Sequence, residues 1–251
     1  MEIAHRQILI TGAARGVGRG FAKMCAEEKA SLHLVLRQSD PELVQELEAL
    51  GAKSVTVWMA DLQSRGSVEK LVEETKGIPI DILFNSVSQR TEGLLEEQSV
   101  DEIYQMMQIN LHSVIHLTRS MLPGMLLRKR GKIINNSSVS AFMHYPSAST
   151  YAASKAAVAA FTDSVRLELK ETGVSTLLLL TPGAQPLRPS YFQVPNSPVF
   201  SVNQYVQMIR EAILHDLEEL EPSGLSGVGL KLAKFAKPLF EMEALRRFKR
   251  L

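Results

Sequence analysis

The most reactive pair of side chains in this sequence is a tyrosine and a lysine four residues apart. Tyr151 and Lys155 fall in a stretch with a helical pattern, so they share one face of the predicted helix. An ammonium beside a phenol favours the phenolate and lowers the tyrosine pKa from its reference near ~10. The pair could therefore move a proton near neutral pH, although the same spacing occurs in many ordinary surface helices.

A serine upstream of Tyr151 could bind the same substrate oxygen. Ser138 follows a stretch that reads as a buried strand, and α/β sheets bind ligands at the carboxyl ends of their strands. Its hydroxyl could donate to a carbonyl oxygen and hold that oxygen beside Tyr151. A serine-rich turn without chemistry is the alternative, because Ser137 and Ser140 stand on either side.

Glycines follow the first apolar run of the chain. Gly12, Gly16 and Gly18, with Arg15 and Val17 between them, separate a predicted strand from a predicted helix. Such glycines let the backbone approach a pyrophosphate at a helix N-terminus. A turn that merely needs positive φ is the alternative, but the strand–turn–helix context favours a cofactor site.

Short apolar runs alternate with helical patterns from residue 8 to residue 180. This alternation predicts an α/β fold, a doubly wound Rossmann-type parallel sheet in a single domain over 1–251 with a C-terminal helical extension. The predicted strands are 8–10, 32–36, 54–58, 80–84, 132–136 and 174–180. The predicted helices run from the glycine turn to about 29, from 41 to 50 after Asp40, from Ser64 to about 77, from a capping box at Ser99 to Pro123, and from 151 to 172. A further helical turn after Pro123 stays open.

The last third of the sequence departs from this alternation. Its prolines predict a long substrate loop over 184–203, and Ser201 then caps a predicted helix to about residue 220. The segment 230–251 predicts an amphipathic helix with a basic polar side. Such a helix can lie on a membrane surface, but we favour one that packs on its own domain.

The bulk composition excludes several classes of protein. A formal net charge of +1 over 251 residues offers no electrostatic case for nucleic-acid binding. Cys25 is the single cysteine, so the chain has no internal disulfide, which suits a reducing compartment. The first residues lack the charged head and apolar stretch typical of a signal peptide, and no apolar run reaches ~20 residues, so we expect neither a signal peptide nor a membrane-spanning helix. We expect a soluble, cytoplasmic protein and assign no metal site.

Taken in order, these residues resemble the short-chain dehydrogenase/reductase family over about 8–183. The resemblance implies hydride transfer between a nicotinamide cofactor and a carbonyl or alcohol carbon. It also implies that Tyr151 exchanges the proton, Ser138 orients the oxygen, and Lys155 binds the nicotinamide ribose while depressing the Tyr151 pKa. Asn110 would hold a water that links Lys155 to solvent. The implied cofactor-binding residues are Gly12, Arg15, Gly16, Val17, Gly18, Arg37, Asp61, Leu62, Asn85, Tyr151, Lys155, Pro182 and Gly183.

Three features depart from the family pattern. The family usually has Asn-Asn-Ala-Gly after the fourth strand, whereas this chain has Asn85-Ser86-Val87-Ser88, which removes backbone freedom beside the adenosine ribose. The segment after Pro182-Gly183 lacks the usual threonine and reads Ala184-Gln185-Pro186-Leu187. A seventh strand is at best a stub at 220–222.

The residues at the end of the second strand indicate which nicotinamide cofactor is bound. Enzymes that prefer NAD commonly place an acid there, but this chain has Leu36 followed by Arg37. Arg15 in the glycine turn could join Arg37 in gripping a 2′-phosphate. We therefore expect NADP(H).

The substrate expected is a bulky lipophilic carbonyl compound, or the matching alcohol, rather than a small polar sugar. Apolar residues in and near the substrate loop would form the pocket wall: Phe142, Met143, Leu187, Tyr191, Phe192, Val194, Val199 and Phe200. Two alternatives stay open. One is a 3-oxoacyl carrier-protein reductase, with Arg128-Lys129-Arg130 meeting an acidic partner, and the other is an NADP-binding regulator without turnover.

We also expect a homodimer or homotetramer. The predicted helices at about 100–122 and 151–169 resemble those of the four-helix interface of many family members. Both carry more apolar residues than one core face needs: Ile109, Leu111, Val114, Ile115 and Leu117 on the first, and Ala156, Ala157, Val158, Ala160 and Phe161 on the second. Burial of both helices within one subunit is the alternative.

Overall fold

The computed structural model describes residues 1–91, 93–181 and 200–221. Within these residues the strands are β1 (Gln7–Thr11), β2 (Ser31–Leu36), β3 (Ser54–Met59), β4 (Ile82–Asn85), β5 (Gly131–Ser138), β6 (Val174–Thr181) and β7 (Glu219–Leu220). They form one parallel sheet in the order β3-β2-β1-β4-β5-β6-β7. The strand order reverses between β1 and β4, and open α/β sheets bind ligands at such a point.

Helices cover both faces of the sheet. They are α1 (Gly16–Glu27), α2 (Pro41–Ala49), α3 (Arg65–Glu74), α4 (Val100–Met107), α5 (Ser113–Leu127), α6 (Ser149–Glu168) and α7 (Val202–Leu214). One core cluster includes Phe21 of α1 and Ile209 of α7, and a second includes Leu117 of α5 and Val165 of α6. Apolar clusters on both sides confirm the doubly wound fold.

Local signals placed several helix boundaries correctly. The Asp40 side chain accepts a hydrogen bond from the Leu43 amide at 2.9 Å, which caps α2. Ser64 caps α3 in the same way. Gly51 and Gly173 have φ of 105° and 80°, the left-handed conformation that ends a helix or the turn after it at little cost for glycine.

The predicted break at Pro123 does not occur, whereas the further helical turn left open after it is present as the end of α5. The chain runs from α4 through a π-helical turn at Gln108–His112 into α5, and Pro123 lies inside α5. A proline inside a helix costs about 3 kcal/mol. Met121 and Met125, one on each side, are both buried, and their packing offsets this cost. The capping box expected at Ser99 is also absent, although α4 does begin there.

The helix that follows Ser201 ends earlier than predicted. It stops at Leu214 rather than near residue 220, and Asp216 adopts a φ of 51°. The Asp216 carboxylate accepts a hydrogen bond from the buried Lys132 ammonium at 2.5 Å, and this contact holds the turn away from helical geometry. The short β7 that follows confirms the expected stub.

The structure describes little of the predicted loop and nothing of the predicted C-terminal helix. Most of the substrate loop, 184–199, and the segment 230–251 lie outside the described residues. At the end of the predicted loop, residues 202–203 already belong to α7. No helix in the described part of the chain is long and apolar enough to span a membrane.

Candidate active site

The glycine turn that joins β1 to α1 is tightly packed. Gly12 and Gly16 have φ of 74° and 57°. A Cβ on Gly18 would lie 2.2 Å from the carbonyl oxygen of Gly12, too close for any side chain. These glycines bring the α1 N-terminus, with its unpaired amides and positive dipole end, to the carboxyl edge of the sheet.

A cleft of about 560 Å³ opens at this edge. The predicted cofactor residues in its lining are Gly12, Arg15, Gly16, Val17, Gly18, Arg37 and Leu62. Asp61 stands between two lining residues, and its carboxylate accepts a hydrogen bond from the Gln63 amide at 3.0 Å. Ser86, Val87 and Ser88, the segment that departs from the family pattern, also line the cleft. Sequence reasoning missed four further lining residues: Gln38, Ser39, Asp40 and Asn136.

One end of the cleft carries positive charge. Leu36 ends β2 where an acid would meet a ribose hydroxyl, and the side chains of Arg15 and Arg37 are exposed beside it. Arg19, on the first turn of α1, is engaged elsewhere, because its guanidinium pairs with Asp40 and Glu46. Among the residues that the structure describes, Arg15 and Arg37 are therefore the guanidiniums at this end of the cleft.

The Asn85 side chain lies beneath the cleft rather than in its lining. It is buried, and its amide donates to the Asn135 side-chain oxygen at 2.8 Å and to the Thr118 hydroxyl at 3.4 Å. Asn85 pairs with Asn135 across β4 and β5, so both side chains point to the same face of the sheet. This side-chain amide ties two strands together, and the predicted part of Asn85 in cofactor binding stays a prediction.

The loop after β4 packs directly on the glycine turn. The Thr11 hydroxyl oxygen accepts hydrogen bonds from the amides of Ser86 and Val87 at 3.1 and 3.2 Å. A Cβ on Gly12 would meet the Val87 amide nitrogen at 3.0 Å. The two loops therefore form one wall of the cleft.

Ser138 and Tyr151 meet beyond the end of this cleft. Ser138 is the last residue of β5, and Tyr151 lies in the first turn of α6. The hydroxyls of Ser138 and Ser88 both hydrogen-bond the Tyr151 hydroxyl. Ser137 points the other way and donates to the Lys155 carbonyl oxygen at 2.8 Å, so Ser138 is the serine beside the phenol.

Lys155 connects this group to the cleft. Its ammonium donates to the main-chain oxygen of Asn136 at 2.8 Å, and Asn136 lines the cleft. The same nitrogen lies 5.7 Å from the centroid of the Tyr151 ring. Burial of the side chain lowers the pKa of Lys155 to about 7.

The expected lowering of the Tyr151 pKa is wrong for this structure. Burial raises the pKa of the phenol above its ordinary value and outweighs the opposing effects of the Ser88 hydrogen bond, the Arg90 charge and the Ser138 hydrogen bond. Desolvation disfavours the charged forms of both Tyr151 and Lys155. It therefore also disfavours the Lys155 ammonium that was expected to stabilise the phenolate.

Comparison with known proteins decides the family. A family model described as short chain dehydrogenase matches residues 6–185. The chain belongs to the short-chain dehydrogenase/reductase family. It is 32% identical over 185 residues to the ketoacyl reductase HetN of Nostoc, an alignment that covers 72% of this chain and less than two thirds, 64%, of HetN.

Solved structures of the family share the fold. The bulky-bulky ketone specific alcohol dehydrogenase of Comamonas testosteroni superposes with a TM-score of 0.81 at 21% identity, covering 94% of each chain. A protein of Beutenbergia cavernae, assigned provisionally as an NAD(P)-dependent gluconate 5-dehydrogenase, has NADP bound at low occupancy. It is 28% identical with a TM-score of 0.68, and the match covers 71% of this chain and 72% of that one.

In this member of the short-chain dehydrogenase/reductase family, Asn110 clamps the loop after β4. It lies in the π-helical turn between α4 and α5, a feature often found at functional sites. Its side-chain oxygen accepts from the Gln89 amide, and its nitrogen donates to the Gln89 carbonyl oxygen, both at 2.8 Å. The nitrogen also donates to the Ser154 hydroxyl at 3.0 Å. Its predicted role in holding a water stays a prediction.

Sequence reasoning missed two further residues of the constellation. Ser88 was noted only as a loss of backbone freedom near the ribose, but its hydroxyl bonds the Tyr151 phenol. The guanidinium carbon of Arg90 lies 5.5 Å from the centroid of the Tyr151 ring. The departure at Ser88 was the available signal, while nothing in the sequence pointed to Arg90. Pro182 and Gly183 lie outside the described residues.

Proposed function

We propose that this protein is an NADP(H)-dependent oxidoreductase that interconverts a carbonyl and an alcohol through Ser138, Tyr151 and Lys155. The observation that carries the proposal is the meeting of these side chains where the cleft ends. Lys155 reaches the cleft through Asn136, and Tyr151 touches Ser138. A regulator without turnover is the less favoured function, because it needs no such arrangement of three reactive groups.

The cleft fits a dinucleotide. A Cβ on Gly16, in the lining of the cleft, would meet nothing within 4 Å, so there is open space for a pyrophosphate beside the backbone amides at the start of α1. The nicotinamide supplies the hydride when it is bound. On the protein's side, Ser138 donates to the substrate oxygen and holds it beside Tyr151, whose phenol gives up its proton during reduction. Lys155 is placed to bind ribose hydroxyls at the end of the cleft.

Two guanidiniums and a missing acid support NADP(H) over NAD(H). Arg15 and Arg37 flank the cleft beside Leu36, and a guanidinium binds phosphate with charge-assisted hydrogen bonds. The Beutenbergia relative that binds NADP gives further support. We expect NADPH to bind at least ~10-fold more tightly than NADH by fluorescence titration, a preference worth about 1.4 kcal/mol. Equal affinities would contradict the assignment.

Catalysis is tested by removing the Tyr151 hydroxyl. General acid–base catalysis contributes typically ~10²–10⁴-fold, so Tyr151→Phe should lower kcat by at least ~10²-fold while NADPH still binds. NADPH oxidation with a panel of ketones and aldehydes measures this effect. The control is Tyr104→Phe, an exposed tyrosine on α4 that should change nothing. A Tyr151→Phe enzyme with most of its activity would contradict the mechanism.

The substrate class proposed is a lipophilic ketone, an aldehyde or the matching alcohol. Support comes from the apolar residues of the predicted loop and from Phe142 and Met143, which follow Ser138 and are half-buried. A panel that sets aryl and long-chain alkyl ketones against reducing sugars tests the class. Turnover confined to the sugars would contradict it.

A 3-oxoacyl thioester is the second candidate substrate. Its support is the 32% identity to a relative named as a ketoacyl reductase. The suggested carrier-protein patch is weaker than expected, because the Arg128 guanidinium donates to the Ile80 carbonyl oxygen and Arg130 pairs with Asp81. Steady-state rates with 3-oxoacyl thioesters, free and carrier-bound, measured against the simple ketones separate the two candidates.

A further inference from the structure

Two cations lie at similar distances from the Tyr151 ring. The guanidinium carbon of Arg90 is 5.5 Å from the ring centroid, and the ammonium nitrogen of Lys155 is 5.7 Å from it. Distance alone therefore does not decide which cation stabilises a phenolate. The decisive property is whether each group carries its charge at neutral pH.

The environments of the two groups differ. Lys155 is buried on α6, and that burial lowers its pKa to about 7, so a large share of the ammonium groups is neutral near pH 7. Arg90 is half-buried, and a guanidinium stays protonated in proteins. Arg90 is thus the permanent positive charge beside the phenol.

The position of Arg90 is built into the fold. Its guanidinium donates to the Tyr145 hydroxyl at 2.7 Å and also lies over the Tyr145 ring. The preceding residue, Gln89, has its main-chain amide and carbonyl both bonded to the buried Asn110 side chain. Contacts from two separate parts of the chain therefore hold Arg90 at Tyr151.

Ser88 completes the surroundings of the Tyr151 hydroxyl. Its own hydroxyl bonds the phenol, as Ser138 does from β5. The Thr11 hydroxyl fixes the amides of the two residues before Ser88, so the loop that carries it is anchored. Within the part of the chain that the structure describes, the groups that face the phenol are Ser88 and Arg90 from the β4 loop, Ser138 from β5, Tyr145 from the loop before α6, and Lys155 from α6 itself.

We propose that Ser88 is a further catalytic residue for the proton transfer, and that Arg90 is a positioning residue that acts through Tyr151 by stabilising its phenolate. This inference rests on the proposed oxidoreductase function. A bound nicotinamide would supply hydride to the carbonyl carbon in reduction. The C=O π bond breaks, and the oxygen takes the proton of Tyr151, whose O–H bond breaks as the alcohol O–H bond forms. The negative charge left on Tyr151 is then balanced by Arg90 and bonded by Ser88 until solvent returns a proton.

The first test follows ionisation of the phenol without any substrate. The five tyrosines are replaced biosynthetically by 3,5-difluorotyrosine, whose phenol ionises nearer neutral pH, and titrated by ¹⁹F NMR. The resonance missing from Tyr151→Phe identifies Tyr151. We expect Ser88→Gly to raise its midpoint by about one pH unit or more, and Arg90→Gln to raise it by a smaller, measurable amount. Arg90→Lys should restore most of the change, and Arg65→Gln, an exposed arginine, should change nothing.

The second test uses turnover. Arg90→Gln should move the pH profile of kcat in the same direction as the ¹⁹F midpoint while KM stays within about twofold. A midpoint that moves with Lys155→Met but not with Arg90→Gln would overturn the proposal. A raised KM with an unmoved midpoint would also overturn it, since Arg90 would then bind the substrate instead. Failure of the proposed function would be a separate result. In that case the wild-type protein would fail to oxidise NADPH with every carbonyl compound tested, whatever the ¹⁹F titration shows.

Discussion

At the scale of single residues, two buried lysines show how a partner sets the cost of burying a charge. The Lys132 ammonium donates to the Asp216 carboxylate at 2.5 Å and to the Ser175 hydroxyl at 3.3 Å. The Lys155 ammonium donates to a neutral carbonyl oxygen, that of Asn136. A carboxylate compensates a buried cation far better than a carbonyl does. Burial of Lys155 therefore costs stability, and a functional role would account for a lysine at this buried position.

The first prediction is that Lys155→Met stabilises the protein near neutral pH while weakening NADPH binding. Because the folded pKa of about 7 lies below the ordinary 10.5, the unfolded chain binds more protons between these values. Wild-type stability therefore rises with pH across this window. The variant's advantage should approach about 5 kcal/mol below pH 7, at about 1.4 kcal/mol per pKa unit, less what the lost hydrogen bond to Asn136 contributed, and should shrink toward pH 10.5.

Urea unfolding at several pH values checks this prediction, with Lys132→Met as the matched control. Removing Lys132 breaks an ion pair, so the control should lose about 1–3 kcal/mol. A Lys155→Met protein less stable than wild type at pH 7 would show that the contact to Asn136 outweighs the cost of burial.

At the scale of elements, the glycine turn sets how closely α1 approaches β1. Gly18→Ala would place a methyl group 2.2 Å from the Gly12 carbonyl oxygen, so the turn must shift. We expect the variant to lose at least ~2 kcal/mol of stability and to bind NADPH at least ~10-fold more weakly. Thermal unfolding and fluorescence titration measure the two effects.

Gly66→Ala is the control for the glycine turn. It lies in α3, where an added Cβ meets nothing closer than the Ser64 hydroxyl at 4.0 Å. Alanine favours helix over glycine by about 1 kcal/mol, so this variant should be as stable as wild type or more so. Unchanged cofactor binding by Gly18→Ala would show that the turn does not hold the pyrophosphate.

A second element-scale prediction concerns a side-chain link across three strands. The Trp58 indole on β3 donates to His33 Nδ1 on β2 at 3.3 Å, and His33 Nε2 lies 2.8 Å from the Gln7 side-chain oxygen on β1. The bond from Trp58 requires Nδ1 to be unprotonated. Burial lowers the pKa of His33 in the folded state, which also favours the neutral ring.

The stability that His33 contributes should be full above its unfolded pKa of about 6.5 and decline as pH falls below that value toward the folded pKa. Trp58 is the single tryptophan, so its fluorescence reports unfolding at this link. The urea midpoint of unfolding should fall between about pH 7 and pH 5 in the wild type, and it should fall less in His33→Gln. Substitution of the exposed His215 by Gln should leave this fall unchanged. An unchanged slope in His33→Gln would assign the acid sensitivity to other groups.

At the scale of the whole molecule, α5 and α6 form an apolar groove on the outside of the subunit. Ile115 and Phe161 line this groove of about 450 Å³ together with Leu122 and Leu126. Three other helix residues that were predicted for an interface do not reach the surface. Val114, Leu117 and Val158 are buried within the subunit, so they cannot contact a partner. The groove is the part of the surface on which the proposed homodimer or homotetramer depends.

Phe161→Asp should convert the proposed oligomer to monomers at micromolar concentration, because it places a charge in an apolar contact. Light scattering measures the mass of each variant. Met59→Glu is the control, since Met59 is an exposed apolar residue at the end of β3, the edge strand far from this groove in the sheet order. A wild-type monomer, or an oligomer that survives Phe161→Asp, would contradict an interface here.

What the sequence by itself determined depends on neighbours along the chain. The strand and helix alternation, the caps at Asp40 and Ser64 and the glycine turn are set by a few adjacent residues, and the structure shows each of them. The shared helix face of Tyr151 and Lys155 follows from a four-residue spacing in the same way.

The tertiary structure decided what depends on residues far apart in the chain. Burial under other elements, invisible to local spacing, set the direction of the Tyr151 pKa and the low pKa of Lys155. Packing on both sides of Pro123 carried a helix through a residue that locally breaks one. Folding alone brought Arg90 over the Tyr151 ring, and the strand pairing turned Asn85 into the core, because these contacts join distant parts of the chain.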